Sequence, residues 1–210
     1  STVGPSASAV TYYLGNGDIT VDQDDTRGAF SYQGEDQGDQ NRTYVNEDEA
    51  DHGVINVKDG HEPTKTEPST DNSDNGTAET TSTDNTTDPS GNNTENSSTS
   101  ETTTGNTITV MEDVKKTEKT DVTEGNDVKI VVDSVNADTS ETGKSTVTIG
   151  EGADVDLTVK DSNLTTGGNG IDIGVNLKDD DDNKKTNVDL TLDNTKINLT
   201  ENATAGINAR

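Results

Sequence analysis

Val155-Asp156-Leu157-Thr158 recurs as Val188-Asp189-Leu190-Thr191, and each copy is followed by polar residues, a turn and a second short apolar strand. Apolar and polar side chains alternate within each copy, the period-2 pattern of a strand with one buried face. A unit this small cannot bury its apolar face alone, so near-copies in one chain predict stacked strand–turn coils. Val128, Ile130 and Val132 alternate in the same way. Val128 stands 27 residues before Val155 and Val188 stands 33 after it; treating residues 179–185 as an acidic bulge shortens the second interval to 26. Three coils are therefore expected, in register at Val128, Val155 and Val188.

Each coil carries a second strand, at Val147-Thr148-Ile149, Ile171-Asp172-Ile173-Gly174-Val175 and Gly206-Ile207-Asn208. Gly143, Gly167-Gly168-Asn169-Gly170 and Asn202-Ala203-Thr204-Ala205 lie between strands, where Gly and Asn are expected to turn the chain by adopting positive φ. Asn136 and Asn163 occupy matching positions and suggest either an inward amide ladder or surface turn residues; Lys196 stands at the third position. A period near 26 also suits a leucine-rich repeat by length, but its fixed Leu and Asn positions are missing. No stretch shows a helical stripe, and the best, residues 114–122, has too few apolar side chains.

Composition limits how such a chain can fold. Hydrophobic residues make up 24% of the 210, against roughly 45–50% in ordinary globular domains, and the net charge is −27. Nucleic acid is excluded as a partner because binding it requires cations to displace phosphate counterions, and an anionic membrane surface would repel the chain. No apolar run is long enough for membrane insertion, and the absence of cysteine removes disulfide and thiolate chemistry. The start at Ser1 and the end inside a strand pattern at Gly206-Ile207-Asn208-Ala209-Arg210 lead us to expect a processed chain or a fragment.

Three segments follow. Residues 1–61 hold β-like runs at Gly17-Asp18-Ile19-Thr20-Val21 and Gly53-Val54-Ile55-Asn56-Val57 and all five aromatic rings: Tyr12, Tyr13, Phe30, Tyr32 and Tyr44. This is expected to be a β-rich lead-in or cap, with Tyr12, Tyr13 or Tyr32 as the alternative of a sugar-stacking site. Residues 62–105 are Ser, Thr, Asn, Asp, Glu and Pro with a single apolar residue, Ala78, and predict a disordered acidic linker; a glycosylated stalk is the alternative. Residues 106–210 are the coils. The fold class expected is all-β, a parallel β-helix or solenoid fragment with a long disordered acidic insertion.

The coil pattern Asp154-Val155-Asp156-Leu157-Thr158-Val159-Lys160-Asp161-Ser162-Asn163-Leu164, ending in a Gly turn and a Gly-Ile strand, resembles the adhesin-like β-strand-repeat surface proteins of anaerobic bacteria. The resemblance covers residues 106–210 and, more faintly, 10–60. It implies a right-handed parallel β-helix of the pectin-lyase-like kind on a secreted or cell-surface chain, and it carries no catalytic residue over.

Candidate sites are few. Asp22, Asp24 and Asp25 imitate the start of a calcium loop, yet Arg27 stands where Gly is required and Gln33 where Glu is required. Asp179, Asp180, Asp181 and Asp182 form a denser run that could hold a divalent cation weakly. Calcium is thus a weak candidate cofactor. His52 and His61 are too few for a zinc site and have no nucleophile motif beside them. The function expected is a non-catalytic structural or adhesive module that contacts a glycan, a host or cell surface, or another copy of itself. The alternative is a fragment of a polysaccharide lyase or hydrolase, whose base would have to come from Arg27, Arg42 or Arg210 or from the lysines.

Overall fold

The computed structural model describes residues 10–45, 53–64, 102–117, 125–176, 184–201 and 203–210. In chain order the strands are β1 (Val10–Tyr13), β2 (Ile19–Asp24), β3 (Gly28–Gln33), β4 (Thr43–Tyr44), β5 (Val54–Lys58), β6 (Thr103–Thr104), β7 (Ile108–Val110) and β8 (Val128–Asp133). They continue as β9 (Asn136–Asp138), β10 (Val147–Ile149), β11 (Asp154–Lys160), β12 (Asn163–Thr166), β13 (Ile171–Ile173), β14 (Asn187–Asp193), β15 (Lys196–Leu199) and β16 (Ile207–Ala209). Among the described residues there is no α-helix; short 3-10 turns lie at Leu14–Asn16 and Gly38–Gln40.

Three sheets result. The first runs β1-β5-β8-β11-β14, the second β6-β9-β12-β15, and the third β4-β3-β2-β7-β10-β13-β16. From β5 onward the chain visits first, second and third sheet in turn, so each circuit adds one parallel strand to every sheet. The register expected from the repeat is the one observed: Val128 pairs with Val155, and Val155 with Val188. The extra length between Val155 and Val188 lies between β13 and β14, where residues 177–183 fall outside the described set.

The first sheet has five strands rather than three, because β1 and β5 from the N-terminal part join it in parallel. Only β3 and β4 depart from the parallel scheme, folding back as an antiparallel hairpin on β2. Thr103 and Thr104, placed by sequence in the linker, instead form β6. Their apolar content gave no strand signal; Thr103 is fixed by tertiary bonds, donating from Oγ1 to Asp59 Oδ1 at 2.9 Å and accepting from the Gly60 amide at 3.1 Å. The rest of the expected linker, residues 65–101, lies outside the described residues.

In-register stacking explains how so few apolar residues make a core. Ile55, Ile130, Leu157 and Leu190 stand one above another in the first sheet, and Ile19, Ile108, Val147, Ile171 and Ile207 do so in the third. Ile130, Leu157, Ile108, Val147 and Ile171 are at most 1% exposed. Burial of each such side chain contributes about 1.5–3 kcal/mol, and most strands carry only one to three of them because the other face is solvated.

Corners between the first and second sheets share one device. Ser134, Asp161 and Asn194 each adopt a left-handed conformation at φ 60°, 51° and 51°. Asn, Asp and, less readily, Ser tolerate that region, so the corner residue recurs by type while the rest varies. The buried Ser162 hydroxyl is satisfied there: Oγ donates to the Lys160 carbonyl at 2.8 Å and accepts from the Val135 amide at 3.0 Å, joining adjacent circuits.

Asn136 and Asn163 are stacked as expected, but on the outer face, since Ala137 and Leu164 between them point inward. Asn136 Nδ2 donates to Thr102 Oγ1 at 3.1 Å, and Asn163 Oδ1 accepts from Asn198 at 2.7 Å. No inward amide ladder forms there, because the inner positions alongside are taken by apolar side chains. Gly167, Gly168 and Gly170 likewise serve differently from expectation: none has positive φ. A Cβ at Gly170 would stand 2.6 Å from Ile197 Cγ2 and 2.7 Å from the Gly206 carbonyl, so circuit-to-circuit closeness requires glycine there.

Candidate binding cleft at the first corner

Outward-facing side chains at the end of the first sheet form a vertical row: Tyr13 beside Lys58, Lys58 Nζ 2.8 Å from Asp133 Oδ2, then Lys160 beside Asp133 and Asp193 beside Lys160. Charge alternates along it, which is the favourable arrangement for side chains one strand apart. Burial alone would push the Asp133 carboxyl up, but the hydrogen bonds from Lys58 and Ser134 and the nearby charges of Lys58 and Lys160 outweigh it and hold it below its ordinary value.

Around the first steps of this row opens a cleft of about 220 Å³ lined by Tyr13, Lys58, Asp59, His61, Pro63, Asp133 and Ser134. Its floor is fixed. Asp59 is 5% exposed and receives the Thr103 hydroxyl, and Ser134 Oγ donates to Asp133 Oδ1 at 2.9 Å. The Tyr13 carbonyl accepts from Gln33 Nε2 at 2.8 Å, which ties this strand to the hairpin. An aromatic ring, an ion pair and a histidine on a rigid corner suit the recognition of a small hydroxylated group, with the ring against its apolar face and the charged groups at its hydroxyls. Sequence reading had named Tyr13 and His61 separately; nothing in the chain order shows that Asp133, 120 positions after Tyr13, closes the same cleft.

A second cluster lies on the hairpin. The Arg27 guanidinium sits 3.6 Å from the Tyr44 ring centroid, and that of Arg42 sits 4.0 Å from the Phe30 centroid. Arg42 holds Asp36 in a two-bond grip of 2.9 and 2.8 Å and also donates to Tyr44 Oη at 2.9 Å. That grip holds the Asp36 carboxyl at about 2. Of the rings expected to cover an end, Phe30 and Tyr44 are buried in this cluster, and Tyr12 is buried beside it with its hydroxyl 2.8 Å from Ser31 Oγ.

The same contacts account for the acidic triplet. Asp24 Oδ1 accepts from the amides of Thr26 and Arg27, closing the β2–β3 turn ahead of Gly28 at φ 84°, and Oδ2 accepts from the Tyr44 hydroxyl at 2.7 Å. Asp22 Oδ1 accepts from the Gln23 amide. Both Asp24 oxygens therefore face donors of the protein itself, and the turn geometry explains the Asp-rich spelling that imitates a calcium loop. Among the described residues no group of three acidic or histidine side chains is gathered for a metal ion. Asp179, Asp180, Asp181, Asp182 and His52 lie outside the described residues.

Opposite the cleft, at the start of the first sheet, Asp127, Asp154, Asp156 and Asp189 gather, with Lys115 and Lys129 near them only partly offsetting the crowding. Burial, and after it the charge of Asp127, raises the Asp154 carboxyl above its ordinary value; burial, Asp127 and Asp189 raise Asp156. Asn187 Nδ2 donates to Asp154 Oδ1 at 3.3 Å.

Comparison of the chain with protein-family models, with curated proteins and with solved structures gave no match. Among the described residues no helix is long and apolar enough to cross a membrane.

Proposed function

We propose that the protein is a β-solenoid display module of a secreted or cell-surface chain, non-catalytic, of the adhesin-like kind its coil pattern resembles. Its three sheets form the sides of a stalk, and its outer rows make weak, repeated contacts with glycan on a neighbouring surface. The observation that carries this reading is the succession of strands, each circuit adding one strand to each sheet in register, with mainly polar side chains facing outward on the first sheet, Val54 and Val131 excepted. Such a scaffold presents equivalent side chains at intervals of about 4.8 Å, a spacing suited to multivalent rather than single-site contact. The Tyr13–Lys58–Asp133 cleft is where one glycan unit would seat.

The arginines favour this over polysaccharide cleavage. Arg42 is held by Asp36 and Tyr44, Arg27 by Asp39 and the Tyr44 ring, and Arg210 by Asp172 at 3.4 Å, so each is committed to an internal partner. The test compares free protein with the same protein coupled densely to beads, on immobilised neutral and acidic glycans. Retention is expected to rise steeply with coupling density, to fall several-fold for Tyr13→Ala, and to occur without new reducing ends or unsaturated products. Turnover of any glycan would overturn the display reading in favour of a carbohydrate-active enzyme.

A further inference from the structure

Most of the aromatic rings already have partners within the protein. Phe30 and Tyr44 are buried with the Arg42 and Arg27 guanidinium groups over their faces, Tyr32 lies 6.1 Å from Phe30, and Tyr12 is buried against Ser31. Tyr13 differs. Among the described residues no ring or cation lies over its face, and its half-exposed side chain lines the cleft at the first corner.

The ion pair in the same cleft is also only partly used. An ammonium carries three donors and a carboxylate about four lone-pair sites. Lys58 Nζ gives one donor to Asp133 Oδ2 at 2.8 Å, and Ser134 Oγ occupies Oδ1 at 2.9 Å. About two donors and two lone-pair sites therefore remain, and both side chains reach water, Lys58 being 40% and Asp133 22% exposed. The Asp36 carboxylate on the hairpin is filled, by two bonds from Arg42 and one from the Gly38 amide. Backbone bonds hold the cleft in shape before any ligand arrives: the Ser134 amide donates to the Lys160 carbonyl at 3.0 Å, and Gln33 Nε2 to the Tyr13 carbonyl at 2.8 Å.

We propose that this cleft selects a neutral pyranose, seating one ring against Tyr13 with two neighbouring equatorial hydroxyls on Lys58 and Asp133. This selectivity rests on the display reading and adds to it the class of sugar. Neighbouring equatorial hydroxyl oxygens on a chair-form ring stand about as far apart as the Lys58 nitrogen and the Asp133 oxygen. One hydroxyl therefore accepts from the ammonium while the other donates to the carboxylate, both charge-assisted bonds, and the ion pair stays intact. An acidic sugar would bring a second carboxylate beside Asp133 and into the field of a chain whose net charge is −27. An amino sugar would compete with Lys58 for Asp133. The cleft volume of about 220 Å³ is below the roughly 300–1,000 Å³ of sites for drug-sized ligands, so a single ring is the unit recognised.

The test titrates the whole chain with methyl β-glucoside, methyl β-glucuronide and the fully O-methylated glucoside, following magnetisation transferred from protein to sugar by NMR. The glucoside is expected to saturate in the millimolar range. The glucuronide, with the same ring hydroxyls and one added charge, is expected to bind several-fold more weakly in low salt and to recover part of the difference when salt is added. The O-methylated sugar keeps the ring but cannot donate, and is expected to lose about tenfold. Lys58→Met, which keeps the aliphatic stem, and Asp133→Asn should each weaken the glucoside about tenfold with the β-sheet circular dichroism unchanged, since both side chains are partly in water. Tyr13→Phe should retain binding and Tyr13→Ala lose it. A glucuronide that binds as tightly as the glucoside overturns the assignment, as does an affinity unchanged in Lys58→Met and Asp133→Asn, or a glucoside that draws no signal in the millimolar range. The bead assay is scored separately: retention without preference for the neutral sugar refutes the selectivity alone, whereas no retention on any glycan refutes the display reading itself.

Discussion

Leu157 and Leu190 are the same side chain in the same register position, one circuit apart, and they differ only in what covers them. Leu157 is fully buried between Ile130 and Leu190; Leu190 has a neighbour on one side. Leu157→Ala is therefore expected to cost about 2–5 kcal/mol and Leu190→Ala about 1 kcal/mol, measured by chemical denaturation. Equal losses would mean that the last circuit is as well packed as the middle one. Gly170 makes the converse point. Its φ is ordinary for any residue, but a methyl group there meets Ile197 and the Gly206 carbonyl, so Gly170→Ala is expected to cost about 1–3 kcal/mol through overpacking. Gly143→Ala, at φ 76° with open space where its Cβ would stand, should instead lose about 1 kcal/mol from backbone conformation. Thermal melts read as a double-mutant cycle separate the causes, since Ile197→Ala, which removes the Cγ2 that the new methyl meets, offsets part of the loss in Gly170→Ala and none of that in Gly143→Ala.

At the scale of the strand, the two ends of the first sheet respond to pH with opposite sign. Asp133 has a folded value below its unfolded one, so its contribution is present above about pH 3.9 and is lost as pH falls through the lower folded value. Asp154 has a folded value above its unfolded one. Its contribution is greatest below about pH 3.9 and is lost as pH rises through the raised value, leaving a half-buried carboxylate beside Asp127 at neutral pH. Asp154→Asn keeps a partner for Asn187 while removing the charge, so it is expected to stabilise by about 0.5 kcal/mol at pH 7 and by nothing at pH 3. A gain that persists at pH 3 would show that the charge is not the cause.

Strand pairing was readable at this scale because its signal is local and repeated. Val128, Val155 and Val188 could be aligned by counting, since alternation fixes which side chains face inward and a one-residue slip would turn every one of them to solvent. The hairpin was not readable. Asp24, Arg27 and Gly28 together spell a three-residue turn, but the same letters imitate a calcium loop, and no local pattern shows that Asp24 closes the turn by accepting from the Arg27 amide and the Tyr44 hydroxyl.

For the whole molecule, the informative contrast is between the hairpin and the circuits. The hairpin is held by its arginine–aromatic cluster, and the circuits by stacked aliphatic side chains. Composition already limited the core: with 24% apolar residues, the buried side chains form narrow columns of Val, Ile and Leu, most strands contributing one to three. Alternation and recurrence then determined by themselves that the described chain is mostly β, where the later strands of the first and third sheets lie and that Val128, Val155 and Val188 pair, because these are properties of neighbouring residues; the strand between them in each circuit, β9, β12 and β15, has too few apolar residues to be read that way. Tertiary structure alone decided that β1 and β5 extend the same sheet, that Thr103 belongs to a strand, that Asp24 serves a turn, and that Tyr13, Lys58 and Asp133 share a cleft. The physical reason is distance along the chain: a parallel stack brings together residues separated by a whole circuit or a long insertion, and no local pattern records which side chains will meet across it.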